Sequence, residues 1–107
     1  MKLKKDKYRN ARGGYSRLLE IKCSKCGSFV ALYQKDGPGI LKRMYIDRIF
    51  KPKSWAEYQK SEIKDVPKLI CSKCRQLIGS PYVYEKEKRN ALLMVQGSFS
   101  KKITKAK

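Results

Sequence analysis

The chain has 107 residues, enough for one domain with a modest core, so a covalent or metal staple would add materially to its stability. Hydrophobic residues make up 41%, which excludes a wholly disordered chain. Lys and Arg total 27 against 9 Asp and Glu, a formal net charge of +18, and there is no His. So much like charge on a small body repels itself, and a polyanion would relieve it; nucleic acid is the first partner this implies and an acidic membrane surface the second. The lack of His removes the commonest acid–base group, which argues against an enzyme and against a small-molecule substrate.

Residues 1–17 read as a basic arm, disordered until it meets a partner: Lys2, Lys4, Lys5, Lys7, Arg9, Arg12 and Arg17 stand against Asp6, with Tyr8 and Tyr15 interleaved. The opening MKLKKDKYRNARGG lacks the apolar stretch of a secretory signal. No apolar run approaches the roughly 18–20 residues of a membrane span. The expectation is therefore a cytoplasmic protein with reduced thiols and no membrane partner.

From residue 18 the character changes. Leu18 to Lys22 predicts a short strand leading into CSKC at 23–26. After Gly27, the run Ser28 to Gln34 is rich in strand formers. DGPG at 36–39 is a turn signal, because Pro38 presets φ and Gly39 accepts a positive φ. Ile40 to Phe50 then predicts a returning strand, so residues 28–50 read as a β-hairpin. In that strand Leu41, Arg43, Tyr45, Asp47 and Ile49 would share a face. Asp47 would pair with Arg43 and hold a Tyr–Arg platform for a nucleotide, or would simply be a surface ion pair of little energetic weight.

Pro52 ends the strand, and residues 51–66 read as a variable insert. Ser54 with Glu57 three residues on suggests a short helix opened by a capping box. Lys68 to Ile70 predicts another short strand into a second CSKC, at 71–74. A second hairpin would pair about 82–86 with 91–96 around Lys88-Arg89-Asn90. The segment from Tyr33 to Leu41 matches Tyr84 to Leu92 at an offset of 51 residues, and the cysteines match at 48. The halves are either a duplicated unit or two metal turns on hairpins that look alike by construction. The tail, 98–107, carries Lys101, Lys102, Lys105 and Lys107 with no acid and reads as frayed or partner-bound.

Cys23, Cys26, Cys71 and Cys74 are the only cysteines. A C-x2-C spacing lets two thiolates converge on one ion, and two such pairs supply four soft ligands in a tetrahedron, which suits Zn²⁺. The 44 residues between the pairs are a small entropic obstacle. Gly27 fits the tight turn after the first pair; Arg75 at the matching place is a departure. Iron in a rubredoxin-like arrangement is the alternative metal, and redox-active dithiols and structural disulfides fit the sequence less well. Lys22, Lys25, Lys73 and Arg75 would offset the net −2 of a divalent metal with four thiolates. A site closed by four protein ligands is structural rather than catalytic.

CSKCG, a hairpin and a second CSKC make residues 18–97 resemble the zinc-ribbon proteins, and GPGILKRMYIDRI resembles, more loosely, a stretch of small uncharacterised bacterial zinc-ribbon proteins. The fold class this implies is a small mostly-β zinc ribbon, with two metal turns bearing β-hairpins and basic ends. Many zinc ribbons are ribosomal, transcription-associated or otherwise nucleic-acid binding. That implies an RNA-binding structural protein beside the ribosome or another ribonucleoprotein. The alternatives are a DNA binder, an adaptor docking on the transcription machinery, or an electron carrier. The candidate nucleic-acid contacts are Lys4, Lys5, Lys7, Arg9, Arg12, Arg17, Lys42, Arg43, Tyr45, Arg48, Lys86, Lys88, Arg89, Lys101 and Lys102. Phe29, Phe50 and Trp55 are expected in the core, and Tyr8, Tyr15, Tyr45 and Tyr84 are candidates for exposed stacking.

Overall fold

The computed structural model describes residues 3–4, 16–37 and 39–104. Its strands are β1 (Ser16–Cys23), β2 (Phe29–Asp36), β3 (Arg43–Tyr45), β4 (Ile49–Lys51), β5 (Leu69–Ile70), β6 (Leu77–Tyr84), β7 (Arg89–Met94) and β8 (Phe99–Thr104). They form two antiparallel four-stranded sheets, ordered β4-β2-β1-β8 and β3-β7-β6-β5. The mostly-β expectation therefore holds.

Alternation explains why each strand turns one way. In β1, Leu19, Ile21 and Cys23 point inward, while Lys22 faces solvent. Their partners Tyr33 and Ala31 on β2 are buried beside them. One apolar cluster joins these residues to Met44, Ile78, Leu92 and Met94 of the other sheet. Tyr33 fastens the sheets further: its hydroxyl oxygen, deep in this cluster, accepts the Tyr45 backbone N–H at 2.9 Å.

The 28–50 hairpin is only half realised. β2 pairs with β4 through Leu32–Lys51 and Tyr33–Ile49, but β3 leaves and pairs with β7 in the second sheet. Met44, fully buried between the sheets, sits in that strand. A 3-10 turn at Ile46–Arg48 then returns the chain to the first sheet, so the residues from Leu41 to Ile49 do not share a face as one strand. The second hairpin forms with its turn two residues early, at Glu85–Lys88, leaving Arg89 opposite Tyr84. The tail is the larger correction: β8 pairs with β1 from Leu18–Thr104 to Cys23–Phe99. An unpaired β1 edge needs backbone partners, and a lysine-bearing strand suits the exposed outer position.

In the insert, Pro52 rather than Ser54 precedes α1 (Lys53–Ala56), and no side chain caps it. The Ser54–Glu57 capping box is therefore not formed; Ser54 lies inside the single turn. Trp55 and Tyr58 meet ring to ring at a tilt, 5.2 Å between centres, and pack against the core as partly buried residues. Phe29 is 45% exposed and Phe50 half-buried, so neither belongs to the core as expected.

Two arginines occupy the interior. Arg48 is 0% exposed, and its Nε donates to Asp36 Oδ2 at 3.0 Å. Asp36 Oδ1 also accepts from Ser16 Oγ at 2.6 Å and Gln34 Nε2 at 2.9 Å. Arg89, 5% exposed, donates to Asp47 at 2.7 Å and to Glu87 at 2.9 Å. Burial of a charge demands such partners, because an uncompensated ion in the interior costs several kcal/mol, on the order of 3–5.

Candidate metal centre

Each CSKC sits in a tight turn between two strands, the first joining β1 to β2 and the second joining β5 to β6. The two turns have the same backbone bonds. Gly27 N–H donates to Cys23 O at 2.8 Å and Cys23 N–H to Ser28 O at 2.9 Å. Arg75 N–H donates to Cys71 O and Cys71 N–H to Gln76 O, both at 2.9 Å. The last residue of the pattern needs a positive φ: Gly27 has +76° and Arg75 +69°. The second turn thus keeps the conformation without the glycine, against the Cβ–carbonyl crowding that disfavours it.

The turns face each other across the gap between the sheets. Cys23 Sγ lies 3.5 Å from Cys74 Sγ, Cys26 Sγ lies 3.5 Å from Cys71 Sγ, and all four sulfurs fall within 4.8 Å of one another. A metal–sulfur bond of about 2.3 Å places tetrahedral sulfurs about 3.8 Å apart, so the set fits one ion. The separations far exceed the roughly 2.05 Å of a disulfide, and all four cysteines are free thiols. The four cysteines of the sequence reading are therefore one cluster positioned to bind a single metal ion.

The surroundings prepare the sulfurs unequally. Ser28, whose hydroxyl lies 3.3 Å from Cys26 Sγ, pulls that thiol down to about 6 through side-chain and backbone hydrogen bonds. The Cys74 and Lys73 backbone groups lower Cys71. At Cys74 the Gln76 backbone group also lowers the thiol, but burial and the neighbouring Cys23, Cys71 and Cys26 outweigh it and push it up to about 11. The four sulfurs that would hold an ion would all be thiolates in the loaded site, whatever their order of titration. Gln76 reaches from the second turn to the first: its Nε2 donates to Ser98 O at 2.9 Å and lies 3.7 Å from Cys23 Sγ. Ser24 N–H donates to the same Ser98 carbonyl at 3.0 Å, and Ser24 Oγ to Gly97 O at 2.6 Å. The segment before β8 is thereby tied to the first turn. Neither Gln76 nor Ser98 was legible as a site residue.

The candidate polyanion contacts divide by location. Lys5, Lys7, Arg9 and Arg12 lie outside the described residues, as do Tyr8 and Tyr15. Arg17, Lys42, Lys86, Lys88, Lys101 and Lys102 are exposed. Lys4 is docked: its backbone N–H donates to Gln34 Oε1 at 2.6 Å, its carbonyl accepts from Gln34 Nε2 at 2.9 Å, and its ammonium contacts the Asp47 carbonyl and Gln59. Arg48 and Arg89 are corrections, since both are buried on carboxylates and turned away from solvent. Tyr45 is a further correction, at 6% exposure beneath the Arg89 guanidinium, which lies 3.7 Å from its ring centre. A Tyr–Arg grouping does form around Arg43, joined by Tyr82 and Tyr84 and without Asp47. Arg43 Nε donates to the Tyr82 hydroxyl at 2.7 Å, and its guanidinium lies 4.2 Å over the half-buried Tyr84. Asp47 serves Arg89 rather than Arg43.

No helix among the described residues is long and apolar enough to cross a membrane. No family model, curated protein or solved structure matches the chain.

Proposed function

We propose that the protein is a zinc-stapled RNA-binding protein of the zinc-ribbon type, working in or beside the ribosome or another ribonucleoprotein, and not an enzyme. Zn²⁺ is the metal that four thiolates in a closed tetrahedral set suit best. Four protein ligands leave no open coordination position, which supports a structural role for the ion. It would hold the β1–β2 turn against the β5–β6 turn and so fix one sheet to the other.

The uneven surface charge carries the RNA reading. Asp36, Asp47 and Glu87 are engaged by the two interior arginines. The exposed acids among the described residues are Glu57, Glu62, Asp65 and Glu85, and the first three fall in the insert. Away from the insert, the exposed charges are mainly cationic: Arg17, Lys22, Lys51, Lys101 and Lys102 on the first sheet, and Lys42, Lys73, Arg75, Lys86 and Lys88 in the turns beside the second. Phosphate contacts from them would supply affinity, and the shape or unpaired bases of an RNA would supply selectivity.

The test is sedimentation of the native protein from lysate with and without ribonuclease. Comigration with ribonucleoprotein particles that RNA digestion abolishes is the expected result. A light position insensitive to nuclease would sink the RNA reading. Metal analysis of the purified protein should find one zinc per chain, and a coloured, iron-loaded protein would overturn the choice of metal.

A further inference from the structure

Alternation gives the second sheet two unlike faces. Met44, Leu92 and Met94 enter the core between the sheets. The residues that alternate with them point the other way. On that outer face Leu93 stands between Arg43 and Ser80, Ala91 stands between Tyr45 and Tyr82, and Arg89 stands opposite Tyr84. Tyr45 and Arg89 are buried within it, Arg43, Tyr82 and Tyr84 are half-buried, and Leu93 is 52% exposed. Ala91 is small, so Arg43 can cross the middle of the face. Its Nε donates to the Tyr82 hydroxyl at 2.7 Å, and its guanidinium lies 4.2 Å from the centre of the Tyr84 ring. Tyr45 meets Tyr84 edge-on at 5.9 Å, and Arg89, itself held by Asp47 and Glu87, lies 3.7 Å from the centre of the Tyr45 ring. The rings are thus fixed in place before any ligand arrives, which lowers the ordering cost of binding.

We propose that this face is a stacking platform for single-stranded RNA, with unpaired bases on Tyr82, Tyr84 and the Arg43 guanidinium and with Leu93 against the sugars. The proposal rests on the RNA reading above and deepens it, naming unpaired bases rather than a duplex as the ligand. Bases stack on tyrosine rings and on arginine planes alike. Tyr82 and Tyr84 are two residues apart on β6, about 6.8 Å along the strand and twice the roughly 3.4 Å step of stacked bases, so an RNA must be unstacked to use both. The charges suit such a strand. Arg43 is engaged by tyrosines, and no carboxylate among the described residues pairs with it. Lys42 immediately precedes β3, while Lys86 and Lys88 lie in the β6–β7 turn, so exposed lysines stand at opposite ends of the face. Glu85 is the exposed acid in that turn, and the two lysines outnumber it. From Ser80 to Tyr84 the face runs about 14 Å, so a strand lying along β6 would carry its phosphates past both ends.

The test uses the full metal-loaded chain with two labelled probes, hexauridylate and a short RNA duplex. Hexauridylate should bind and shift the methyl resonances of Leu93. Tyr84→Leu removes a ring and should weaken hexauridylate binding about tenfold with an unchanged salt slope, because no phosphate contact is lost. Tyr84→Phe keeps the ring and should bind like the unmodified protein. Lys86→Gln/Lys88→Gln should instead lower the salt slope, by about 1.4 for two lost contacts. Phe29→Leu removes an exposed aromatic from the first sheet and should change affinity by about twofold or less. Leu93→Glu sets a negative charge on the platform at an exposed position and should weaken binding about tenfold; it decides the matter if thermal melting shows Tyr84→Leu to be unfolded. Hexauridylate binding that neither Tyr84→Leu nor Leu93→Glu weakens overturns the platform and leaves RNA binding standing. Binding of the duplex without hexauridylate does the same. Binding of neither probe overturns both.

Discussion

Asp36→Ala should be among the most damaging single changes outside the cysteines. Arg48 is 0% exposed and Asp36 is its carboxylate partner at 3.0 Å, so truncation takes a carboxylate away from a guanidinium held in the interior. Removing one partner of such a pair costs about 3–5 kcal/mol. A domain of this size has roughly 5–15 kcal/mol to lose. At about 4 °C per kcal/mol, the melting temperature should fall by about 12–20 °C. The reverse change is predicted to be milder. In Arg48→Met, Asp36 still accepts from Ser16 and Gln34, and a methionine fills much of the vacated volume. The double variant Asp36→Ala/Arg48→Met should therefore be more stable than Asp36→Ala alone. Urea titration of metal-loaded protein measures all three. If Asp36→Ala cost under about 1 kcal/mol, or no more than Arg48→Met, the placement of Arg48 as a buried, carboxylate-dependent cation would be wrong.

Cys26→Ser should abolish stoichiometric zinc binding and cooperative unfolding together, because structural zinc supplies much of the folding free energy; a folded, metal-free variant would refute a single site. Arg75→Gly should stabilise the protein by about 0.5–1 kcal/mol, the relief of a left-handed non-glycine residue less the added freedom of the unfolded chain, as read by denaturant midpoint. Stability should also decline at alkaline pH through Tyr33. Burial raises its hydroxyl well above the ordinary tyrosine value of 10.0, so the folded state keeps the proton while the unfolded chain releases it. The contribution is complete below pH 10 and is lost as pH rises from there toward the folded value. Unfolding free energies between pH 8 and 11 should show this slope, and Tyr33→Phe should flatten it.

The cysteine cluster was legible because C-x2-C spacing is local, and local geometry largely determines where the sulfurs point. Strands that alternate cleanly, such as Leu19-Glu20-Ile21-Lys22, were legible for the same reason. Three features were not. β3 was read as part of a hairpin because a run of strand-forming residues does not say which sheet will take it, and Met44 is satisfied by a distant partner strand. β8 was read as frayed because its lysines outweighed Phe99 and Ile103, although lysine is a suitable residue for an edge. Arg48 and Arg89 were assigned to the surface on residue type alone. Nothing near them in sequence announces burial except Asp47 and Glu87, and Asp36 is 12 residues from Arg48.

The pairing of β8 with β1 also has a consequence in time. During synthesis β1 emerges early and waits for the strand that will seal its edge. Meanwhile its backbone groups are open to any matching strand, including the β8 of another copy, and pairing over such a long stretch of chain is slow. Exchange of β8 between copies is therefore the misassembly that this topology would invite. All four cysteines, however, are in place by residue 74, and the second turn closes at Gln76, before β8 exists. An ion captured at that stage would hold the two sheets in register while the edge is still open, and scarce metal would show itself first as entangled dimers rather than as simple unfolding.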